Sequence, residues 1–167
     1  MTEVIYDDGA DLGIIQGKKV AIIGYGSQGH AHAQNLRDSG VEVRVGLQPE
    51  SKSRAKAQEA GFEVGTPAEV AEWADVVVLL APDQFQRHIY NDEVAQHMTE
   101  GKTLVFSHGF NVRFGYIDAL GRVDVAEADV EAAAGEEPGD AGQQTRLVLH
   151  QERQDVGAHH SSSHTGL

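Results

Sequence analysis

The chain has 167 residues, 40% of them hydrophobic, which suffices for the core of one globular domain of ordinary size. Its formal net charge of -13, from 13 Lys and Arg against 26 Asp and Glu, argues against a nucleic-acid or anionic-membrane surface, because both need clustered cations. Without cysteine the chain has no disulfide, no zinc–thiolate site and no thiol nucleophile.

The beginning of the chain does not resemble a targeting segment. Its first residues include Glu3, Asp7 and Asp8 and lack the basic and apolar regions of a signal peptide. No apolar run approaches the roughly 18 residues that a membrane-spanning helix needs. We therefore expect a cytoplasmic protein that binds neither nucleic acid nor membrane.

The first strong motif is a glycine-rich turn after an apolar run. Lys19–Ile23 is typical of a buried strand, and Gly24, Gly26 and Gly29 follow in the spacing Gly-x-Gly-x-x-Gly. In a dinucleotide site the first glycine permits a tight turn, the second lets the backbone approach a pyrophosphate, and the third lets helix and strand pack closely. The motif alone is weak evidence, and a glycine-rich turn without a ligand is the alternative.

The segments around this turn favour the nucleotide interpretation. Ser27–Asp38 predicts a helix that Gly40 ends, and residues 41–45 alternate apolar and polar side chains as a second strand. A pyrophosphate would then bind the unpaired N–H groups at the N-terminus of the helix.

Helices and strands continue to alternate along the chain. Residues 51–60 predict a short helix and residues 62–64 a short strand. A further helix over residues 67–73 follows Thr66, which is the predicted N-cap of a capping box completed by Glu69.

The next three segments determine the fold class. Residues 75–80 predict a strand whose apolar run is typical of parallel strands covered on both faces, residues 84–97 are mostly helical, and residues 102–106 form another strand. This alternation predicts an α/β fold with a Rossmann-like, doubly wound, mainly parallel sheet in three α/β/α layers. Ligands of such sheets bind outside the carboxyl ends of the strands, where four loops lie: residues 24–29, 46–53, 81–86 and 107–110.

The composition changes towards the C-terminus. Residues 123–145 contain no Lys or Arg but seven acidic residues, and residues 157–167 are polar with three histidines. Such segments bury little apolar surface, so a disordered tail is predicted, with a surface helix over residues 126–134 and a short strand over 146–149 as the elements that could form. The histidines have no partner ligand at helical spacing, so no metal site is predicted there.

The end of the second predicted strand bears on the choice of nucleotide. An NAD site usually places an Asp or Glu there to hold the ribose hydroxyls. This chain has Val45-Gly46-Leu47 instead, followed by hydroxyls and cations at Ser51, Lys52, Ser53 and Arg54. The pattern favours NADP, whose 2′-phosphate is a dianion. The alternative is a solvated helix start with incidental charge.

Four segments occur in the order and spacing of one known family. They are residues 24–33 (Gly-Tyr-Gly-Ser-Gln-Gly-His-Ala-His-Ala), 35–40 (Asn-Leu-Arg-Asp-Ser-Gly), 45–47 (Val-Gly-Leu) and 107–111 (Ser-His-Gly-Phe-Asn). Together they resemble the N-terminal domain of ketol-acid reductoisomerase, over about residues 5–115. The resemblance implies conversion of acetohydroxy acids such as 2-acetolactate to dihydroxy acids in branched-chain amino-acid biosynthesis. The family does this by a magnesium-assisted alkyl shift followed by hydride transfer from NADPH.

The resemblance also implies roles for particular residues. It assigns the pyrophosphate turn to Gly24, Tyr25, Gly26, Ser27, Gln28 and Gly29. It places Asp83, Gln84, Phe85 and Gln86 beside the nucleotide. Ser51 and Ser53 would hold the 2′-phosphate together with Gln48, where the family often has a basic residue, so the grip on the phosphate is weaker here.

His108 would be the active-site histidine of this family. A histidine at the carboxyl end of an inner strand, followed by the flexible Gly109, faces the cleft, and a neutral imidazole can relay protons near physiological pH. Without the motif around it, a loop histidine with a structural role is the alternative.

The resemblance ends after residue 115. The family continues with an active-site lysine loop and a metal-binding C-terminal domain, whereas here Val123-Asp124-Val125 is followed by acidic, Ala/Gly-rich sequence. We expect a dinucleotide-binding domain over residues 1–116, a divergent acidic tail over 117–167 and no C-terminal metal domain, so no residue is predicted to bind Mg²⁺.

Three hypotheses about function follow. The chain is a truncated ketol-acid reductoisomerase that is inactive alone, because the alkyl shift needs the metal as a Lewis acid. Alternatively, it is a stand-alone NADP(H)-binding module that acts as a sensor or partner subunit. The third hypothesis is a remnant whose uncovered sheet edge promotes association. Each is compatible with a homo-oligomer.

Overall fold

One sheet organises the protein. A computed structural model describes residues 11–118, 124–129 and 148–151, the last two stretches as backbone strands only. The strands are β1 (Lys19–Ile23), β2 (Glu42–Gly46), β3 (Glu63–Gly65), β4 (Val76–Leu79), β5 (Thr103–Phe106), β6 (Asp124–Asp129) and β7 (Val148–Gln151). The helices are α1 (Leu12–Gln16), α2 (Ser27–Asp38), α3 (Ser53–Glu59), α4 (Pro67–Trp73), α5 (Asp83–Ile89) and α6 (Phe110–Arg113). A π-helical turn (Tyr90–Val94) and a 3-10 turn (Ala95–His97) continue α5.

The strand order creates a crevice next to the central strand. Within the described residues the order is β3-β2-β1-β4-β5-β6-β7, parallel throughout except for the antiparallel pair β6–β7. The chain runs outward from β1 to β3 and then returns to β4 on the other side of β1. Ile23, at the end of β1, lies between Gly46 and Leu79. A doubly wound sheet binds its ligand where the chain reverses in this way.

Both faces of the sheet are covered, which explains the apolar strands. Val20 and Ile22 belong to a core cluster that also contains Ala33 of α2 and Ala57 of α3. Ala21 and Ile23 face the opposite side, together with Val70 and Ala71 of α4. Successive side chains of a strand point to opposite faces, so every inward position on β1 must be apolar. The predicted three-layer α/β/α architecture is confirmed.

Most predicted elements are found within two residues of their expected bounds. The helices Ser27–Asp38 and Pro67–Trp73 have the predicted bounds, and the helical segment after residue 83 continues through the π and 3-10 turns. The surface helix expected over residues 126–134 is wrong for residues 126–129, because 124–129 form β6, which pairs with the edge of β5. Residues 130–134 lie outside the described residues. A free strand edge outweighs the helix propensity of a few alanines.

The C-terminal predictions are tested only in part. The short strand expected over residues 146–149 overlaps β7. The predicted disorder of the tail falls largely outside the described residues. The division at residue 116 stays a prediction, although β6 adds to the same sheet beyond it. Of the helices within the described ranges, none combines the length and the apolar character required to cross a bilayer.

Candidate functional site

The glycine turn after β1 is held against the end of β4. Gly24 has a φ of +105°, and a Cβ there would lie 2.8 Å from the backbone N of Ala81. Its N–H donates to the carbonyl of Gly46 at 3.1 Å, which ties the turn to the end of β2. A side chain at position 24 would therefore be strained and would collide with the neighbouring strand.

The two other glycines of the motif have different surroundings. A Cβ built on Gly29 would lie 2.2 Å from the carbonyl oxygen of Gly24, so α2 packs against the turn more closely than any side chain allows. A Cβ built on Gly26 would meet nothing within 4 Å, so the backbone there is open to close approach. Gly26 is the N-cap of α2 and no side chain caps the helix. Its first-turn N–H groups fit an anion such as a pyrophosphate.

Two adjoining clefts open at the carboxyl edge of the sheet. The larger, about 620 Å³, extends from the glycine turn over the end of β2 to one side of α5. The smaller, about 530 Å³, extends from the start of α2 to the loop after β5. Both are lined by Gly26 and by residues 80–82, so they form one groove across β1 and β4.

Every predicted site residue lines this groove. The larger cleft is lined by Gly24, Tyr25, Gly26, Gln48, Ser51, Ser53 and Phe85. The smaller cleft is lined by Gly26, Ser27, Gln28, Gly29, Asp83, Gln84, Gln86 and His108. The structure thus brings together residues as far apart in the sequence as Gly24, after β1, and His108, after β5.

His108 is paired with Asp83 at the mouth of the smaller cleft. Its Nε2 lies 3.1 Å from Oδ2 of Asp83, and both side chains are partly exposed. The N–H of Phe110 points to Nδ1 at 3.4 Å. These contacts assign the proton of a neutral ring to Nε2, because Nδ1 is used as an acceptor. The pair can therefore hold a proton at a defined atom.

A buried amide pair fixes the two loops that carry His108 and Asp83. Asn111 and Gln86 are each 3% exposed. The Nδ2 of Asn111 donates to Oε1 of Gln86 at 2.8 Å and to the carbonyl of Asp83 at 3.2 Å. Gln86 in turn donates to the carbonyl of Ala81 at 2.7 Å. Buried amides with complete partners are rigid, so this network sets the position of α5 relative to the loop after β5.

The loop after β2 is anchored by Arg54. Its guanidinium donates to the carbonyls of Leu47 at 2.7 Å and of Gly65 and Val64 at 3.3 Å each. This cation, expected from the sequence to favour a phosphate, is instead bound to backbone. At the head of the same loop, the Gln48 amide donates to the carboxylate of Glu93.

Two buried polar groups near the turn have no hydrogen-bond partner among the described residues: the hydroxyl of Tyr25 and Nε2 of His32. The Tyr25 ring packs edge-on against His30 and Phe62. Burial raises the pKa of Tyr25, although the charge of Arg37 opposes the shift, and burial lowers the pKa of His32. Tyr25 therefore supports the turn from the core side, and it also lines the groove.

Sequence reasoning missed one side of the larger cleft. His88, Ile89, Asp92 and Glu93 line it together with Phe85. These residues recur at helical spacing from Phe85, which was the available signal. Asn111 was also missed as a positioning group, although it ends the quoted motif at residues 107–111.

The groove offers no grouped metal ligands. Within residues 11–118, no three His, Asp or Glu side chains are arranged to hold a metal ion. The described residues therefore do not fit Mg²⁺.

Comparison with known proteins agrees with this geometry. Residues 14–141 match the family described as acetohydroxy acid isomeroreductase, NADPH-binding domain. The chain is similar to the ketol-acid reductoisomerases (NADP(+)) of Clavibacter michiganensis subsp. michiganensis and Arthrobacter sp. (strain FB24), each 66% identical over 125 residues. These alignments cover 75% of this chain and 37% of each relative, so the chain spans a little over a third of the length of the curated relatives it matches.

Solved structures give the same result. An NADH-preferring ketol-acid reductoisomerase from an uncultured archean aligns with a TM-score of 0.73 and 40% identity, over 78% of this chain and 41% of that chain. A semialdehyde dehydrogenase NAD-binding protein from Cupriavidus necator aligns over 72% of this chain and 44% of that chain, with a TM-score of 0.58 and 22% identity. The second likeness shows the Rossmann-like fold alone.

Proposed function

Because the chain belongs to the acetohydroxy acid isomeroreductase family, we propose that it binds NADP(H) and serves as the nucleotide-binding domain of a ketol-acid reductoisomerase. The main supporting observation is the groove across β1 and β4, which is lined by both the glycine turn and His108. A nucleotide bound there would lie between an anion-binding helix start and a proton-holding side chain.

The residues of the groove suit the separate parts of the nucleotide. The N–H groups at the start of α2 would hold the pyrophosphate, since the helix N-terminus carries partial positive charge. The hydroxyls of Ser51 and Ser53 and the amide of Gln48 would receive the 2′-phosphate. Asp83, Gln84 and Gln86, which line the smaller cleft with His108, would lie beside the nicotinamide half, and Phe85 would contact the nucleotide in the larger cleft. When bound, NADPH supplies a hydride.

His108 would act on a proton at the same end of the groove. Asp83 orients its ring and accepts the hydrogen of Nε2. The buried Asn111–Gln86 pair holds the two loops, so the Nε2 position is defined before a substrate arrives. Such preorganisation is what a general acid or base needs.

The proposed substrates are acetohydroxy acids such as 2-acetolactate, converted to 2,3-dihydroxy acids in branched-chain amino-acid biosynthesis. This activity is proposed for a protein of the relatives' kind, of whose length the chain spans 37%. The cytoplasmic location and the homo-oligomeric state expected from the sequence stay predictions.

Nucleotide binding is tested by titrating the purified chain with NADPH and NADH in calorimetry and thermal unfolding. A ligand at 100 times its Kd stabilises a protein by about 2.7 kcal/mol, so binding raises the Tm measurably. We expect saturable binding of NADPH that weakens in the double variant S51A/S53A. Absence of binding by either nucleotide would refute the proposed site.

Catalysis is tested separately by following NADPH oxidation with 2-acetolactate and Mg²⁺. The described residues group no metal ligands, so we expect no turnover by this chain under these conditions. Magnesium-dependent oxidation of NADPH would show that the chain is a complete catalyst. Binding without turnover agrees with a nucleotide-binding domain.

A further inference from the structure

The wall of the larger cleft formed by α5 and the π-helical turn is acidic. Asp92 and Glu93 line it, together with His88, in the same cleft that Ser51 and Ser53 line. Within the described part of the chain, no Lys or Arg lines this cleft. The part of the groove proposed for the 2′-phosphate therefore faces two carboxylates and no cation of its own.

The nearest cations of the loop after β2 do not compensate for this charge. Arg54 is bound to three backbone carbonyls, of Leu47, Val64 and Gly65. Lys52 is exposed and lies outside the lining of the cleft. A 2′-phosphate would depend on hydroxyls and on the amide of Gln48.

Glu93 competes for that amide. The Nε2 of Gln48 donates to Oε1 of Glu93, and both residues line the larger cleft. A phosphate oxygen would have to replace the carboxylate as acceptor and would also be repelled by its charge. A ribose 2′-hydroxyl has the opposite relation to Glu93, because it can donate a hydrogen bond to the carboxylate.

We propose that Glu93 is a specificity-determining residue: it weakens the binding of NADPH relative to the binding of NADH at this site. The inference rests on the nucleotide site proposed above. Glu93 acts on the phosphate in two ways: it occupies the Gln48 amide and it places a negative charge in the cleft. Removing the charge while keeping the shape of the side chain should therefore improve NADPH binding selectively.

The test compares the Kd of NADPH and of NADH, measured by calorimetry at low ionic strength, in the wild-type chain and in E93Q. We expect NADPH to bind about 5- to 10-fold more tightly in E93Q, which corresponds to about 1–1.4 kcal/mol. NADH should bind equally or up to about 3-fold more weakly, since one acceptor for the ribose hydroxyl is weakened. The gain should shrink at high salt, because screening acts on the charge of the carboxylate.

The matched control is E100Q. Glu100 is exposed and precedes β5, at the opposite edge of the sheet from the groove, so the same charge change is made far from the cleft. Its ratio of the two Kd values should equal that of the wild type. NADH binding reports in each variant that the fold and the site are intact.

Two negative outcomes are distinguishable. If both nucleotides bind and E93Q changes the ratio no more than E100Q does, Glu93 has no role in specificity and the inference is wrong. If neither nucleotide binds to the wild-type chain, the nucleotide site itself is refuted, and the inference with it.

Discussion

At the scale of single residues, Gly26 and Gly29 have different expected roles, the first in nucleotide binding and the second in the stability of the fold. A Cβ on Gly26 meets nothing within 4 Å, whereas a Cβ on Gly29 would lie 2.2 Å from a backbone oxygen. We expect G26A to leave the free energy of unfolding within about 1 kcal/mol of wild type. Its added methyl group enters the groove, so NADPH should bind about 10-fold more weakly or worse.

G29A should behave in the opposite way. The overlap forces α2 away from β1, which destabilises the fold by about 3 kcal/mol or more. Urea unfolding and NADPH titration of both variants check the pair of expectations. Equal stability losses would mean that the turn has a structural role only.

The second residue-scale prediction concerns the ring of His108. Its contacts place the proton of the neutral ring on Nε2, facing Asp83. We expect ¹⁵N spectra of the neutral ring to show Nε2 protonated in the wild type. In D83A this preference should be lost, because the acceptor is gone.

H88Q is a suitable control for assigning these spectra, since His88 is exposed on α5 and removing it leaves the His108 signals in place. A wild-type ring protonated on Nδ1 would contradict the assignment. The role proposed for Asp83 would then have to be abandoned.

At the scale of elements, α4 begins with a capping box. Thr66 Oγ1 accepts from the N–H of Glu69 at 3.3 Å, and Glu69 Oε2 accepts from the N–H of Thr66 at 2.7 Å. We expect T66A to lower the free energy of unfolding by about 1 kcal/mol, measured in urea, because the N–H of Glu69 in the first turn of the helix loses its acceptor. T66S keeps the hydroxyl and should retain most of the stability.

The capping box also depends on pH. The hydrogen bonds from the backbone and side chain of Thr66 lower the pKa of Glu69 in the folded state. This stabilisation is present above the unfolded pKa, near 4.5, and is lost as the pH falls through the lower folded pKa. The stability difference between T66A and wild type should therefore narrow as the pH falls below 4.5, without vanishing, because the Thr66 hydroxyl still accepts from the N–H of Glu69.

At the scale of the whole molecule, local signals predicted the fold and long-range contacts escaped prediction. The helix Ser27–Asp38, the capping box at Thr66 and the apolar strand β4 each depend on residues close in sequence, and each is found as predicted. All predicted site residues line one groove, because the parallel topology brings the carboxyl ends of the strands to one edge. Their roles in binding stay predictions.

The features that were missed have a common physical cause. Gln48 and Glu93 lie 45 positions apart, and Asn111 and Gln86 lie 25 apart, so no local pattern reports these contacts. Arg54 donates to the backbone carbonyls of Leu47, Val64 and Gly65, which lie close together only once β2 and β3 have paired. Similarly, residues 124–129 formed a strand because the edge of β5 was available to pair with them.

Global stability should depend on the protonation of His32. This side chain is 4% exposed on the inner face of α2, its Nε2 has no partner among the described residues, and burial lowers its pKa in the folded state. The unfolded chain therefore binds a proton more readily below about pH 6.5. The stability that neutral His32 allows is complete above that pH and is lost as the pH falls towards the folded pKa.

The variant H32L removes the titratable imidazole and puts an apolar side chain of similar size in its place on α2. We expect the free energy of unfolding of wild type to fall more steeply than that of H32L between pH 6.5 and 5, by at most about 1.4 kcal/mol per pH unit, the slope for one proton. Parallel curves for wild type and H32L would mean that the imidazole of His32 accepts its proton without opening the fold, and α2 would then be less tightly packed at this position than the structure indicates.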